Sequence, residues 1–174
     1  DVSYRSEPDL SQHPAAAFRM SGRDLARIGR LYLDGGTSNG TRVLEASWIA
    51  RIEDTRSATG LGGLRAGHGL LWWLPAPETG LPEGSYMAWG LGNQTLFVIP
   101  AWDTVIVHQS DTTEFVKRYT AALAEGGEAE SVLEDLVVGC LRRRNRDTPF
   151  CKEDRFIGRR EFAGLVELIV AARK

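Results

Sequence analysis

The chain has 174 residues, a length typical of one domain, and its 43% hydrophobic content is sufficient for a buried core. Charged residues make up 25% and the formal net charge is only -2, so the composition gives no indication of a nucleic-acid partner. No apolar run approaches the ~20 residues that a membrane-spanning helix needs, and we predict no membrane span.

The first 17 residues are polar and contain Pro8 and Pro14, so they are predicted to be extended. This start lacks a methionine, a basic region and an apolar region. It therefore has the features of neither a signal peptide nor a usual translation start. We expect that the chain either is processed or continues a longer gene product.

Two helices are predicted next. Ser21, with Asp24 three positions later, resembles a helix N-cap, and apolar residues follow at helical spacing. Glycines within residues 34–36 are predicted to end this helix. A second short helix, over about residues 46–54, is expected to bury three apolar side chains: Trp48, Ile49 and Ile52.

Beyond a glycine-rich loop at residues 60–69, the period of the apolar residues changes from helical to extended. Strands are predicted at residues 70–74, 85–89, 94–100 and 103–109. The last two connectors are hairpin-sized, so we expect an antiparallel meander. Further helices are predicted at residues 115–124, 129–141 and 159–172. The last helix carries an apolar stripe: Phe162, Leu165, Val166, Ile169 and Val170.

The predicted fold class is therefore α/β, more strictly α+β, with an antiparallel β-sheet flanked by helices. Cys140 and Cys151 lie 11 residues apart in a basic segment, and either a disulfide or two free thiols fits this spacing. A disulfide there would contribute roughly 3 kcal/mol in an oxidising compartment. No second cysteine pair or nearby histidine completes a metal site, so no metal is predicted.

Two stretches resemble the β-lactamase-related serine hydrolases, the superfamily of class C β-lactamases, D-alanyl-D-alanine carboxypeptidases and esterases of the penicillin-binding-protein type. Residues 18–36 are similar to the family helix "S-A-x-D-L-A-R-F-G", and residues 40–48 to the "G-x-x-v-L-s-x-x-W" segment after it. Residues 67–73, 86–94 and 98–107 are similar to "Y-G-x-G-W-W … A-x-G-x-G-G-Q-x-x-x-V-x-P-x-x-D-x-V-V-V". The order and spacing of these motifs carry the resemblance.

The resemblance implies part of a β-lactamase/transpeptidase-like fold. Four regions are predicted. Residues 1–68 are a linker and a portion of a helical subdomain, and residues 69–111 are the antiparallel strands with the third active-site motif. Residues 112–158 are a helical insertion relative to the family, and residues 159–174 are the C-terminal helix, packed on the sheet.

The family's acylation requires a serine with a lysine one helical turn later, and a tyrosine or serine nearby. None of Lys117, Lys152 and Lys174 follows a serine by three residues, and Tyr-x-Asn is absent as well. In the family both motifs precede the helix that begins here at Ser21. The nucleophile is therefore expected outside this chain, and the chain alone is expected to be inactive. His68 and His108 are more typical of packed or surface side chains than of a catalytic triad.

The third motif is expected on the strand that ends at Gly90, where Ala88-Trp89-Gly90 stands in the place of Lys/His-Thr/Ser-Gly. Trp89-Gly90-Leu91 is an alternative registration, because esterase members carry Trp-Gly-Gly there. In the first registration the backbone N–H of Leu91 donates to the oxyanion, and Ala88, Trp89 and Gly90 contact the substrate. Structural interpretations of the same residues stay open. Gly90 also fits a hairpin turn, Trp89 also fits a core position, and Gln94 fits a role in ordering the hairpin.

The resemblance implies hydrolysis of an ester or amide through an acyl-serine intermediate. Ala88 offers no cation for a β-lactam carboxylate, so an ester, an amide or a peptidoglycan-like substrate is favoured over a β-lactam. The alternative is a non-catalytic relative of the same fold that binds peptidoglycan or another ligand, or that serves regulation. No cofactor is expected, and the N-terminal half of the same protein is the expected partner. The compartment stays open, with a periplasmic or secreted location favoured.

Overall fold

The structure, a computed structural model, describes residues 20–54, 56–90, 94–111, 113–127 and 159–173. Several sequence predictions fall outside these residues: the extended start, the helix at 129–141, the state of Cys140 and Cys151, and the backbone N–H of Leu91. Within the described residues, no helix is long and apolar enough to cross a membrane.

The described elements are four helices and eight strands. The helices are α1 (Gly22–Leu33), α2 (Ala46–Asp54), α3 (Thr113–Ala124) and α4 (Arg159–Ala171). The strands are β1 (Thr37–Ser38), β2 (Thr41–Arg42), β3 (Ser57–Ala58), β4 (Gly67–Gly69), β5 (Trp72–Leu74), β6 (Tyr86–Trp89), β7 (Thr95–Ile99) and β8 (Thr104–His108).

The main sheet contains β3 to β8 in chain order, and every neighbouring pair is antiparallel. β1 and β2 form a separate small hairpin. The expected meander is present from β6 to β8, with β6 and β7 in register at Met87↔Phe97 and β7 and β8 at Phe97↔Ile106. The predicted α+β class with an antiparallel sheet is confirmed.

Helices cover both faces of this sheet. Successive side chains of a strand point to opposite faces, so Tyr86 and Ala88 join one apolar cluster and Met87 and Trp89 join the other. The first cluster contains residues of α1 and α2, and the second contains residues of α4. The molecule is therefore layered, with the sheet between α1 and α2 on one side and α4 on the other.

α1 follows its predicted start closely. Ser21 caps the helix, and its hydroxyl oxygen accepts a hydrogen bond from the Asp24 backbone N–H at 3.1 Å. Gly29 allows the helix to lie directly on the sheet, because a Cβ at this position would come within 2.6 Å of Val105 and 2.7 Å of Leu96. The close contact places α1 across β7 and β8.

α2 has the predicted bounds but not the predicted buried side chains. Ile52 is 1% exposed and Ile49 packs against the same cluster, whereas Trp48 is 44% exposed. The expectation that Trp48 is buried is wrong, because the face of this short helix that meets the sheet is centred on the two isoleucines. The Arg51 guanidinium lies 5.5 Å from the centre of the Trp48 ring at the surface.

The predicted strand at residues 70–74 is in fact a turn followed by a shorter strand. Leu70 and Leu71 have left-handed φ angles of 45° and 72°, and they connect β4 to β5. β4 lies within the segment predicted to be a loop. A Cβ on Gly69 would lie 1.8 Å from the Ile52 carbonyl oxygen, so glycine allows β4 to pass against the end of α2. Apolar side chains in a turn give the same pattern as a buried strand.

α4 packs on the sheet through part of its predicted stripe. Phe162 is 1% exposed and Val166 is 5% exposed, but Leu165 is 37% exposed and does not belong to the core. At the far end of the helix, the Arg173 guanidinium donates to the Trp102 carbonyl oxygen at 3.1 Å. This contact fixes the end of α4 against the turn between β7 and β8.

Candidate functional site

The residues predicted to contact the substrate lie at the end of β6, where this strand extends past its neighbour β5. The two strands are in register at Trp73↔Met87, so Trp72 lies opposite Ala88. β5 begins at Trp72, and the chain before it turns back into β4. Trp89 and Gly90 therefore extend beyond β5 and, with respect to the described strands, lie at a strand edge on that side.

Gly90 is exposed, and the described residues around it leave room for a side chain. Its backbone N–H donates to the Gln94 carbonyl oxygen at 2.7 Å. An added Cβ would meet the Gln94 Cβ at 3.5 Å, an ordinary van der Waals contact. Gly90 also does not have a positive φ angle.

Ala88 and Trp89 point to opposite faces of the sheet. Ala88 packs on the α1 side, two residues after Tyr86 on the same face. The Trp89 ring points to the α4 side, where its centre lies 5.1 Å from the centre of the Phe162 ring. Trp89 thus has the packing role that the sequence left open, while its backbone belongs to the edge beside Gly90.

Gln94 ties the start of β7 to the chain just after β8. Its side-chain amide donates to the Ser110 carbonyl oxygen at 2.7 Å, and its carbonyl oxygen accepts from the Ser110 backbone N–H at 3.2 Å. The sequence predicted that Gln94 orders the hairpin before it. The Gln94 backbone carbonyl accepts from Gly90 across that hairpin, and its side chain also orders the end of the next hairpin at Ser110.

Arg65 is the residue near β6 that sequence reasoning missed. It ends a 3₁₀ turn, Gly63–Arg65, and its guanidinium carbon lies 5.2 Å from the centre of the Trp89 ring and 5.5 Å from that of Trp73. Both distances are within the range of cation–π attraction. The available signal was an arginine inside the glycine-rich segment. No local spacing connects that segment with the end of β6.

The histidines are placed by ring packing. His68 lies on β4 with its ring centre 5.0 Å from that of Trp73, and His108 lies on β8 with its ring centre 5.3 Å from that of Phe162. Both contacts agree with the structural role favoured by the sequence. Among the described residues, no group of three or more potential metal ligands comes together.

Tyr86 lies beneath Ala88 on the α1 face. It is 5% exposed, and its ring makes edge contacts with Trp72 at 5.0 Å and Tyr32 at 6.4 Å between ring centres. Burial, with a smaller contribution from Tyr32, raises the pKa of Tyr86 well above its usual range. Its hydroxyl therefore stays protonated at neutral pH and does not act as a base there.

The antiparallel sheet packed against helices is compatible with a partial β-lactamase-like fold. No family model matches the chain. The chain is 32% identical over 111 residues to the 6-aminohexanoate-dimer hydrolase of Paenarthrobacter ureafaciens. The matched stretch covers 60% of this chain and 27% of that relative, so the chain spans about a quarter of the relative's length.

This likeness confirms the resemblance found in the sequence: the chain is related to the β-lactamase-type serine hydrolases. The relation is to a family of hydrolases.

Proposed function

We propose that this chain is part of a serine hydrolase that cleaves an ester or amide through an acyl-serine intermediate. The likeness to a hydrolase over 111 residues carries the proposal. The serine, its lysine and the tyrosine would come from the N-terminal half of the same protein, because Ser-x-x-Lys and Tyr-x-Asn are missing from the sequence.

The strand edge at Trp89 and Gly90 supports a role in binding the scissile group. A substrate lying along this edge would approach the backbone at Gly90, where a side chain would interfere. The next residue, Leu91, would then offer its backbone N–H to the oxyanion that develops on the scissile carbonyl. One such donor contributes about 10²–10³-fold to turnover in other enzymes.

The proposed substrate is a linear amide or an ester, including a peptidoglycan-like peptide. By its name, the relative hydrolyses the dimer of 6-aminohexanoate, which is a linear amide. Ala88 is neutral and cannot hold a β-lactam carboxylate in the way that a lysine or histidine would at this position. A β-lactam is therefore the less favoured substrate.

The position of β8 as the last of the described strands supports the N-terminal half as a partner. A shallow groove lies between β8 and α1, and it is lined by Arg23, Ala26, Arg27, Arg30, Leu33 and Val105. On the other face, α4 leaves Leu165 and Leu168 exposed by 37% and 69%. A further strand from the N-terminal half could pair with β8 and extend the sheet.

The experiment uses the gene product with the sequence that precedes Asp1. We expect a fluorophosphonate probe to label a Ser-x-x-Lys serine, and 6-aminohexanoate dimer or a p-nitrophenyl ester to be hydrolysed. Gly90→Ala should lower kcat/KM by roughly tenfold to a hundredfold. Gly164→Ala is the matched control, because a Cβ on Gly164 would meet nothing within 4 Å.

Two outcomes would count against the proposal. If no serine is labelled and neither substrate is hydrolysed, while a peptidoglycan fragment binds, the protein is a non-catalytic relative. If Gly90→Ala and Gly164→Ala leave kcat/KM equally unchanged, the edge of β6 is not the substrate site.

A further inference from the structure

We propose that a cavity at the start of β6 binds a small zwitterion, a molecule whose ammonium and carboxylate are separated by a short aliphatic chain. The cavity has a volume of about 480 Å³, within the roughly 300–1,000 Å³ that is typical of small-molecule sites. Three charged side chains line it, those of Glu53, Arg56 and Glu83, together with the connector between β5 and β6. The inference does not depend on the proposed hydrolase function.

The three charged groups of the cavity are not paired with one another. Within the part of the chain that the structure describes, none of them forms an ion pair, and the two carboxylates accept no hydrogen bond. The Arg56 guanidinium donates to the Pro75 carbonyl oxygen at 3.5 Å, which is long for a hydrogen bond. Most of its five N–H donors are therefore available to a ligand.

The turn after α2 and a glycine on β4 position Arg56. Its backbone N–H donates to the Glu53 carbonyl oxygen at 3.0 Å, so the two residues belong to one closed turn. The Arg56 side chain then passes over Gly67, where an added Cβ would lie 2.9 Å from Nε and 3.2 Å from Cγ. Glycine thus makes room for the arginine stem, and the guanidinium is held at the cavity without a charged partner.

The rest of the wall is mainly apolar and is fixed by its own hydrogen bonds. Leu81 is 7% exposed and belongs to the cluster on the α4 side of the sheet. The Thr79 hydroxyl donates to the Ala76 carbonyl oxygen at 2.7 Å, and the buried Ser85 hydroxyl donates to the Pro82 carbonyl oxygen at 2.6 Å. Because this wall is already ordered, little conformational freedom is lost when a ligand binds. The apolar residues that line the cavity are Pro75, Ala76, Pro77, Leu81 and Pro82.

These features match a zwitterion better than a singly charged molecule. A guanidinium suits a carboxylate, the Glu53 and Glu83 carboxylates suit an ammonium, and the apolar wall suits the aliphatic chain between them. Since Arg56 pairs with neither carboxylate, the positive and negative groups of the cavity stand apart. A ligand that contacts both must therefore carry its own two charges apart, and a single anion or cation would leave one kind of group without a partner.

The cavity is separate from the strand edge at Trp89 and Gly90. Ser85 directly precedes β6, whereas Gly90 directly follows its other end. At about 3.4 Å per residue of an antiparallel strand, Ser85 and Gly90 lie roughly 17 Å apart. A small ligand in the cavity therefore does not occupy the proposed substrate edge.

The test uses the gene product with the sequence that precedes Asp1 and three probes of equal chain length: 6-aminohexanoate, hexanoate and hexylamine. Isothermal titration calorimetry measures their binding to the wild type, to Arg56→Gln and to the double variant Glu53→Gln/Glu83→Gln. Glu78→Gln is the matched control. Glu78 lies on the same connector, in the 3₁₀ turn Pro77–Thr79, and is exposed but does not line the cavity.

We expect 6-aminohexanoate to bind at least about threefold more tightly than either singly charged probe. Arg56→Gln should raise the Kd of 6-aminohexanoate and hexanoate roughly threefold to tenfold and should not weaken hexylamine. The double variant should do the reverse, weakening 6-aminohexanoate and hexylamine but not hexanoate. Glu78→Gln should change none of the three. Equal Kd values for the three probes, or an unchanged Kd of 6-aminohexanoate in both cavity variants, would overturn the inference.

A fluorophosphonate that blocks the active serine distinguishes the cavity from the hydrolase site. The labelled protein should bind 6-aminohexanoate with an unchanged Kd, and loss of binding on labelling would place the ligand at the reacting serine and refute the cavity site. If no serine is labelled but the variants show the expected pattern, the hydrolase proposal fails and the cavity site stands. If the serine is labelled and both cavity variants bind 6-aminohexanoate like the wild type, the cavity proposal alone fails.

Discussion

Phe162 on α4 packs against aromatic side chains of three strands, β6, β7 and β8. It is 1% exposed, and its ring centre lies 5.1 Å from Trp89, 5.3 Å from His108 and 6.0 Å from Phe97. Burial of a phenylalanine side chain contributes about 1.5–3 kcal/mol, and an aromatic pair adds about 0.5–1.5 kcal/mol. Phe162→Ala also leaves a cavity, so the expected loss in the free energy of unfolding is about 3–5 kcal/mol.

Urea unfolding followed by tryptophan fluorescence measures this loss. Leu168→Ala is the control on the same helix, because Leu168 is 69% exposed and its removal should change the free energy of unfolding by about 0.5 kcal/mol or less. A loss below about 1 kcal/mol for Phe162→Ala, or equal losses for the two variants, would contradict the packing of α4 on the sheet.

Two further predictions concern Gln94 and Tyr86. Gln94→Ala removes hydrogen bonds to Ser110 and should lower the free energy of unfolding by about 1–3 kcal/mol. Hydrogen exchange of the Ser110 backbone amide should then accelerate. An unchanged exchange rate would exclude this role of the Gln94 side chain. Burial raises the pKa of Tyr86. The contribution of the neutral side chain to the free energy of unfolding is therefore fully present below the usual tyrosine pKa of about 10, and it decreases as the pH rises further. The free energy of unfolding of Tyr86→Phe, measured with urea, should decrease less steeply with pH across that range. Parallel pH dependences of the wild type and the variant would contradict the raised pKa of Tyr86.

Signals confined to a few neighbouring residues predicted the elements well. Ser21 and Asp24 predicted the start of α1, and the structure shows the capping hydrogen bond between them. The strands β6 to β8 follow the predicted segments within a residue or two, because hairpin-sized connectors leave adjacent strands little choice but to pair. Helix caps and short turns depend on contacts within the segment itself.

The same local signals fail where an apolar residue that has the spacing of a buried position lies in a turn or at the surface. Leu70 and Leu71 were predicted to be in a strand, but both have positive φ angles and form the turn between β4, which packs against the end of α2 at Gly69, and β5. Trp48 has the spacing of a core residue and is nevertheless exposed. In both cases the outcome depends on which other element lies against the segment.

By itself, the sequence determined the family relation, the α+β class and the helices and strands, because these follow from local spacing and from motifs in a fixed order. It also placed Ala88, Trp89 and Gly90 together at one strand end. Only the tertiary structure decided that this strand extends past β5, and that Arg65 lies against the Trp89 ring. Such a contact joins residues far apart in the chain, and its geometry is set by the packing of whole elements on the sheet.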